Sequence, residues 1–122
     1  MISAATRDFL ARKHGLWIGG KHTLDYSGGE LDVVNPATEE IIARVGLGDA
    51  GDLDRAVAAA RSALRGPWSR FTPDERTRVI LRYAELIEQN AGLITELAVL
   101  DNGMPIAIGE SCSMFSALFL RY

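Results

Sequence analysis

Apolar residues in the first 45 positions fall in short runs broken by glycine and turn residues. Leu16-Trp17-Ile18 ends at Gly19-Gly20, residues 21–25 form its return, and Ser27-Gly28-Gly29 marks a second turn. Val33 and Val34 then lead into Asn35-Pro36, and the stretch from Glu40 to Val45 runs back. This third of the chain is predicted to be a β-meander of short strands. Past Gly46 and Gly48 the period lengthens. Leu53, Val57, Ala60 and Leu64 recur at helical spacing behind Asp49, a good N-cap, with Asp52 in the first turn. Gly66-Pro67 stops that helix.

Thr72-Pro73-Asp74-Glu75 is the clearest local signal: a Thr N-cap, Pro at the first helical position and Glu placed to close a capping box. The helix behind it carries Val79, Ile80, Tyr83, Leu86 and Ile87 on one face. Asn90-Ala91-Gly92 is a break, and Leu93, Ile94, Leu97 and Leu100 form a second stripe. Asp101-Asn102-Gly103 reads as a turn, with Asp101 capping it, and Pro105 prevents smooth continuation. Residues 106–122 read as helical, with Met114, Phe115, Leu118 and Phe119 apolar. Residues 1–14 are read either as a weakly helical stretch, in which Thr6 caps a short turn with Phe9 and Leu10 as its apolar contacts and Gly15 ends it, or as a flexible tail. The predicted fold class is α/β, an N-terminal β-meander followed by three helices.

Composition narrows the function classes. The chain has 122 residues, 48% hydrophobic and 24% charged, which is globular rather than disordered. A net charge of -3 with scattered Lys and Arg argues against a nucleic-acid partner. No run approaches the roughly 20 apolar residues of a membrane span. The N-terminus resembles neither a signal nor a transit peptide, and one cysteine suits a reducing compartment. A cytoplasmic location is the expectation.

Candidate chemistry is sparse. Cys112 has no histidine near it in sequence and reads as a small packed residue. His14 and His22 lack a metal-ligand partner at useful spacing and read as surface residues. Gly19-Gly20 and Gly28-Gly29 match no phosphate loop, and no glycine-rich strand-to-helix turn is expected. Glu85, Glu88 and Glu96 read as solvated carboxylates on polar helix faces. Spacing alone leaves no catalytic constellation.

Four segments in register resemble a known family: "LWIGGKH" (16–22), "VVNPATEEIIARV" (33–45), "DLDRAVAAARSAL" with "GPWSRFTPDERTRVILRYAELIE" (52–64 and 66–88), and "LDNGMPI" (100–106). Their order and spacing are similar to the N-terminal part of an NAD(P)-dependent aldehyde dehydrogenase. The resemblance implies an incomplete cofactor-binding domain, in which the hairpin at 33–45 is architectural. It implies a parent enzyme that oxidises an aldehyde to a carboxylic acid with NAD or NADP. The family's cysteine nucleophile, glutamate base and dinucleotide fold lie downstream of the matched segment, so no catalytic or cofactor-binding residue is carried over. Cys112 does not match the nucleophile's motif. Two features do carry over. A monovalent-cation site would take oxygens from Val34 and Asp101 and is incomplete here, and Met114 and Phe115 would border the substrate tunnel. The family usually has Gly where Glu39 stands and often Trp where His22 stands. The expectation is an inactive N-terminal fragment that self-associates through apolar helix faces. The alternatives are a stand-alone interaction module built from the helices and a small-ligand binder.

Overall fold

The computed structural model describes residues 2–122; Met1, at the head of the expected tail, lies outside them. In chain order the elements are α1 (Ala4–Leu10), β1 (Leu16–Ile18), β2 (Lys21–Thr23), β3 (Glu30–Val34), β4 (Ile41–Gly46), α2 (Ala50–Ala63), a 3₁₀ turn (Pro67–Arg70), α3 (Pro73–Gln89), α4 (Ala91–Asn102) and α5 (Ile106–Arg121). The α/β class is as expected, with two differences in detail. The strands form two separate antiparallel hairpins, β1–β2 and β3–β4, rather than one meander. Four helices follow them rather than three.

Both differences have local causes. Gly19 and Gly20 hold φ of 61° and 76°, the pair of positive values that a two-residue hairpin turn requires, so β2 folds straight back on β1. The loop after β2 then pairs with the far end of β4: the Gly28 amide donates to Leu47 O at 3.0 Å and the Leu47 amide to Gly29 O at 2.9 Å. The residue before β1 takes the next place, since the Gly46 amide donates to His14 O at 2.7 Å. The β1–β2 hairpin lies instead against α2. Among the helices, Asn90 both ends α3 and begins α4. Its amide reaches Leu86 O and Ile87 O at 3.1 Å, and its side-chain amide donates to Leu86 O at 2.8 Å.

The two capping signals form as the sequence predicts. The Asp49 side chain accepts from the Asp52 amide at 2.9 Å while the Asp52 carboxylate accepts from the Asp49 amide at 3.0 Å. Thr72 and Glu75 make the same reciprocal pair, with Pro73 at the first helical position. The 3₁₀ turn is fastened to α3 by Trp68, which pairs with Phe71 and carries the Arg76 guanidinium 5.5 Å over its ring.

At the other end of the chain, α1 takes the helical form of the two readings of residues 1–14. Its cap is Ser3, whose hydroxyl accepts from the Thr6 amide at 3.2 Å; Thr6 is not the cap but a fully buried residue. The Glu96 carboxylate of α4, expected to be solvated, accepts from the Ser3 amide at 2.9 Å, the Ser3 hydroxyl at 2.8 Å and the Thr6 hydroxyl. Glu85 and Glu88 are exposed but paired, with Arg82 and Arg121.

The helical core is built from small side chains. Ala84 of α3 and Ala117 of α5 are the buried apolar residues among those described. Thr95 of α4 and Ser113 of α5, also buried, face each other with hydroxyls 3.4 Å apart. A Cβ at Gly109 would come within 3.0 Å of Thr95 Cγ2, so α5 lies closely on α4 there. The large apolar side chains are displaced outward: Leu64 and Phe119 are each 75% exposed, and Val79, Tyr83, Leu86, Phe115 and Leu118 are exposed with them.

Glu39, in the β3–β4 turn, holds φ of 60° and is the one described non-glycine residue in that region. A side chain there carries a steric cost that glycine avoids, partly offset by glycine's greater freedom when unfolded. Glu39→Gly is therefore expected to stabilise the chain by up to about 1 kcal/mol, read as a rise in the denaturant midpoint. A fall in that midpoint would mean that the Glu39 side chain contributes more than its backbone strain costs.

Candidate functional site

The β3–β4 turn is built by Asn35, which is buried. Its side-chain oxygen accepts from the Ala37 amide at 2.9 Å, its amide donates to Glu40 O at 2.9 Å, and its carbonyl accepts from the Glu39 amide at 2.8 Å. Pro36 supplies the fixed φ beside it. This turn meets the end of α4. Gly103 caps α4 with φ of 73°, and a Cβ on it would lie 3.1 Å from Pro36 Cγ. Val34 and Asp101, the two sequence-derived cation-site residues, thus sit on the two elements that meet here. Val34 pairs with Ile41 across a register shift and is exposed. Asp101 is exposed and lines a cleft with Val33 and Asn102. It does not cap the turn that follows it; Asn102 does, accepting from the Met104 amide at 3.0 Å. No group of three His, Cys, Asp or Glu side chains placed to hold a metal occurs among the described residues.

The second candidate region is α5. A cleft of about 540 Å³ runs between α3, α4 and α5, lined by Tyr83, Ile87, Ile94, Ala98, Met104, Gly109, Cys112, Ser113, Ser116, Phe119 and Leu120. Cys112 is exposed in this cleft, not packed as the sequence suggested. The lining holds no His, carboxylate, Lys or Arg that could take a proton from its thiol or steady a thiolate. Met114 and Phe115 are exposed on α5 and are absent from this lining; Phe115 stacks on Phe119 with centroids 6.2 Å apart.

The histidines differ from a plain surface reading. His14 is half-buried, its ring 4.9 Å from Phe9, and its Nε2 is buried without a hydrogen-bond partner. His22 is exposed as expected; its Nε2 accepts from the Gly15 amide at 3.0 Å, and its ring lies 5.8 Å from Trp17.

A third feature was missed in the sequence. Gly46, Gly48 and Gly51 in "GLGDAG" follow β4 directly and open α2, the literal spacing of a dinucleotide-binding turn. The structure shows that the spacing serves packing. β4 belongs to an antiparallel hairpin, not a parallel sheet. A Cβ at Gly46 would fall 2.4 Å from the Tyr26 ring, and one at Gly48 would fall 3.2 Å from Asp52 Cβ. At the start of α2 the Asp49 and Asp52 amides donate to each other's carboxylates, and those two negative charges stand where a pyrophosphate would lie. The residues present do not fit a nicotinamide dinucleotide, and no step through one can be assigned to them.

Asp52 is the best-connected group at this turn. Only 3% exposed, it accepts from the Asp49 amide, from the Ser27 amide at 3.5 Å and from Arg55. The Asp49 amide, then Ser27 and Arg55, hold its carboxyl below the usual range, against the opposing effect of desolvation.

Comparison with known proteins places the chain. Residues 24–122 match the model of the aldehyde dehydrogenase family. An aldehyde dehydrogenase of Alternaria alternata is 39% identical over 109 residues, which is 88% of this chain and 22% of that protein. Aldehyde dehydrogenase family 2 member B4, mitochondrial, of Arabidopsis thaliana is 40% identical over 110 residues, 88% of this chain and 20% of that protein. The NAD⁺ complex of a Bacillus cereus aldehyde dehydrogenase superposes on the whole chain with a TM-score of 0.92 at 32% identity, covering 25% of the neighbour. The chain belongs to the aldehyde dehydrogenase family. It matches the start of the family's structures and spans about a fifth to a quarter of the length of these relatives.

Because the folded state favours ionised Asp52, its contribution to stability is complete above the ordinary carboxylate range. That contribution is lost as pH falls through the depressed value. Asp52→Asn is expected to lower the melting temperature at pH 7, with the gap to wild type closing below about pH 4. Melting curves from pH 2.5 to 7 check this; a gap independent of pH would show that the carboxylate's charge is not what matters.

Proposed function

We propose that this chain is the N-terminal part of an NAD(P)-dependent enzyme that oxidises an aldehyde to a carboxylic acid, and that its own share of that work is architectural. The observation that carries this is the match over residues 24–122 together with superposition of the entire chain on one quarter of a solved relative. The hairpin turn at Asn35-Pro36 and the capped end of α4 brace each other. In this reading they present the Val34 carbonyl and the Asp101 carboxylate as two oxygens of a monovalent-cation site. Met114 and Phe115, exposed on α5, border the path of the aldehyde. No residue of the 122 acts as nucleophile, general base or cofactor ligand.

The direct test is to read the coding frame past the codon for Tyr122 and to measure the mass of the native polypeptide. A longer product carrying a cysteine nucleophile, active with an aldehyde and NAD or NADP, supports the proposal. A native product of 122 residues would favour the interaction module.

Two outcomes are expected for the 122-residue polypeptide made alone. Calorimetry should show no saturable NAD binding in the micromolar range, and no reduced nicotinamide should form with an aldehyde, with or without Cys112→Ala. Saturable binding would overturn the assignment of the "GLGDAG" turn to packing. The exposed apolar faces of α3 and α5 should also drive self-association or loose packing. At about 25 cal/mol per Å², a few hundred Å² left uncovered forfeits several kcal/mol, comparable with the net stability of a small domain. Sedimentation and dye binding read this. A monomer with a sharp transition and no dye uptake would show that the chain closes its own core.

A further inference from the structure

We infer that α1 is a strap, closed over the cleft between α4 and the β3–β4 hairpin, and that the Glu96 carboxylate is its latch. The cleft holds about 420 Å³ and is walled by Phe9 and Leu10 of α1, His14 beyond it, Val33 and Val45 of the hairpin, and Leu97 of α4. Glu96 precedes Leu97 on α4, so the latch and the cleft wall belong to the same turn of helix.

The contacts of α1 are concentrated at its two ends. At its N-terminal end, Ser3 and Thr6 direct three donors at Glu96, and Thr6 is fully buried in doing so. Beyond its C-terminal end the chain is held by the His14 carbonyl, which takes the Gly46 amide at 2.7 Å. Between them, Arg7 uses its guanidinium on Ile2 O, within the strap itself. One carboxylate therefore fixes one end, and backbone pairing with β4 acts as a hinge at the other. Opening at the latch uncovers Phe9 and the buried His14 Nε2, which has no partner while the strap is closed.

Charge makes the latch strong at neutral pH. A carboxylate receiving several donors forms charge-assisted bonds, and protonation weakens them while adding a donor of its own. The charged side chains on α1 are Arg7 and Asp8, and α4 adds only Asp101, five residues from Glu96. The Thr6 hydroxyl, then the Ser3 amide and hydroxyl, hold the Glu96 carboxyl below its ordinary range. The sign follows: the latch holds at neutral pH and loosens only as pH falls through the depressed value.

Hydrogen exchange read by mass spectrometry on the full chain tests this. Amides of α1 should lose at least about tenfold of their protection in Glu96→Gln, the equivalent of one charge-assisted hydrogen bond. Thr6→Val, which removes the buried hydroxyl donor and leaves the Ser3 cap and amide in place, should lose part of that protection. In both variants α3 and α5 should keep wild-type protection. In the wild type, α1 protection, corrected for intrinsic exchange, should fall below about pH 4.5, and Glu96→Gln should abolish that pH dependence. Unchanged α1 protection in Glu96→Gln would overturn the latch. So would an equal loss across α3 and α5, which would make Glu96 a support of the whole fold rather than of the strap.

Discussion

The arrangement rests on how closely α5 lies to α3 and α4. Two helices can approach within reach of each other's backbones only where the side chains between them are small. Ala84, Ala117, Ser113, Thr95 and Gly109 supply such a seam. A single large residue at Ala117 or Gly109 would separate the helices and unseat the Thr95–Ser113 contact. The consequence of so thin a seam is that Tyr83, Leu118 and Phe119 remain outside it. The apolar stripes read from the sequence on α3 and α5 are real stripes, and much of each is exposed, whereas Leu93, Leu97 and Leu100 of α4 are half-buried.

Polar groups carry much of what large apolar residues usually do. Three carboxylates each tie together segments distant from one another or from their own helix. Asp52 joins the loop at Ser27 to the start of α2, Glu96 joins α1 to α4, and Glu88 joins α3 to Arg121 at the end of α5. Asp52 gathers two backbone amides and the Arg55 guanidinium, Glu96 a backbone amide and two hydroxyls, and both carboxyls are held below their ordinary range by these donors. The Glu88–Arg121 pair is exposed and screened, and contributes orientation more than energy.

Such an architecture suits a segment whose work is to hold a shape. The strongest local geometry, the Asn35 turn against Pro36 and Gly103, is backbone geometry with no nucleophile in it. The one thiol stands in a cleft without an acid or base. A glycine spacing that would ordinarily suggest a dinucleotide serves Tyr26 and two helix-capping aspartates instead. Spacing is a property of the chain, whereas phosphate binding needs free amides away from negative charge, and here two aspartate carboxylates occupy the turn.

What the sequence determined by itself is local. Both capping boxes, the Gly19-Gly20 turn and the break at Asn90 follow from residue chemistry within a few positions, where backbone geometry has few solutions. The family resemblance was legible for the same reason, as turns and caps in a set order. Tertiary structure alone decided which carboxylates are used and which faces are covered. Glu96 reads as one more polar helix position until α1, ninety residues earlier, is brought against it. Ser3 became the cap and Thr6 the buried donor because α4 offered Thr6 an acceptor. The two hairpins separate because the backbone before and after β1–β2 claims the edge and end of β4. Cys112 is exposed because a seam of alanine, serine and glycine, invisible to any hydrophobic count, sets which face of α5 is turned inward.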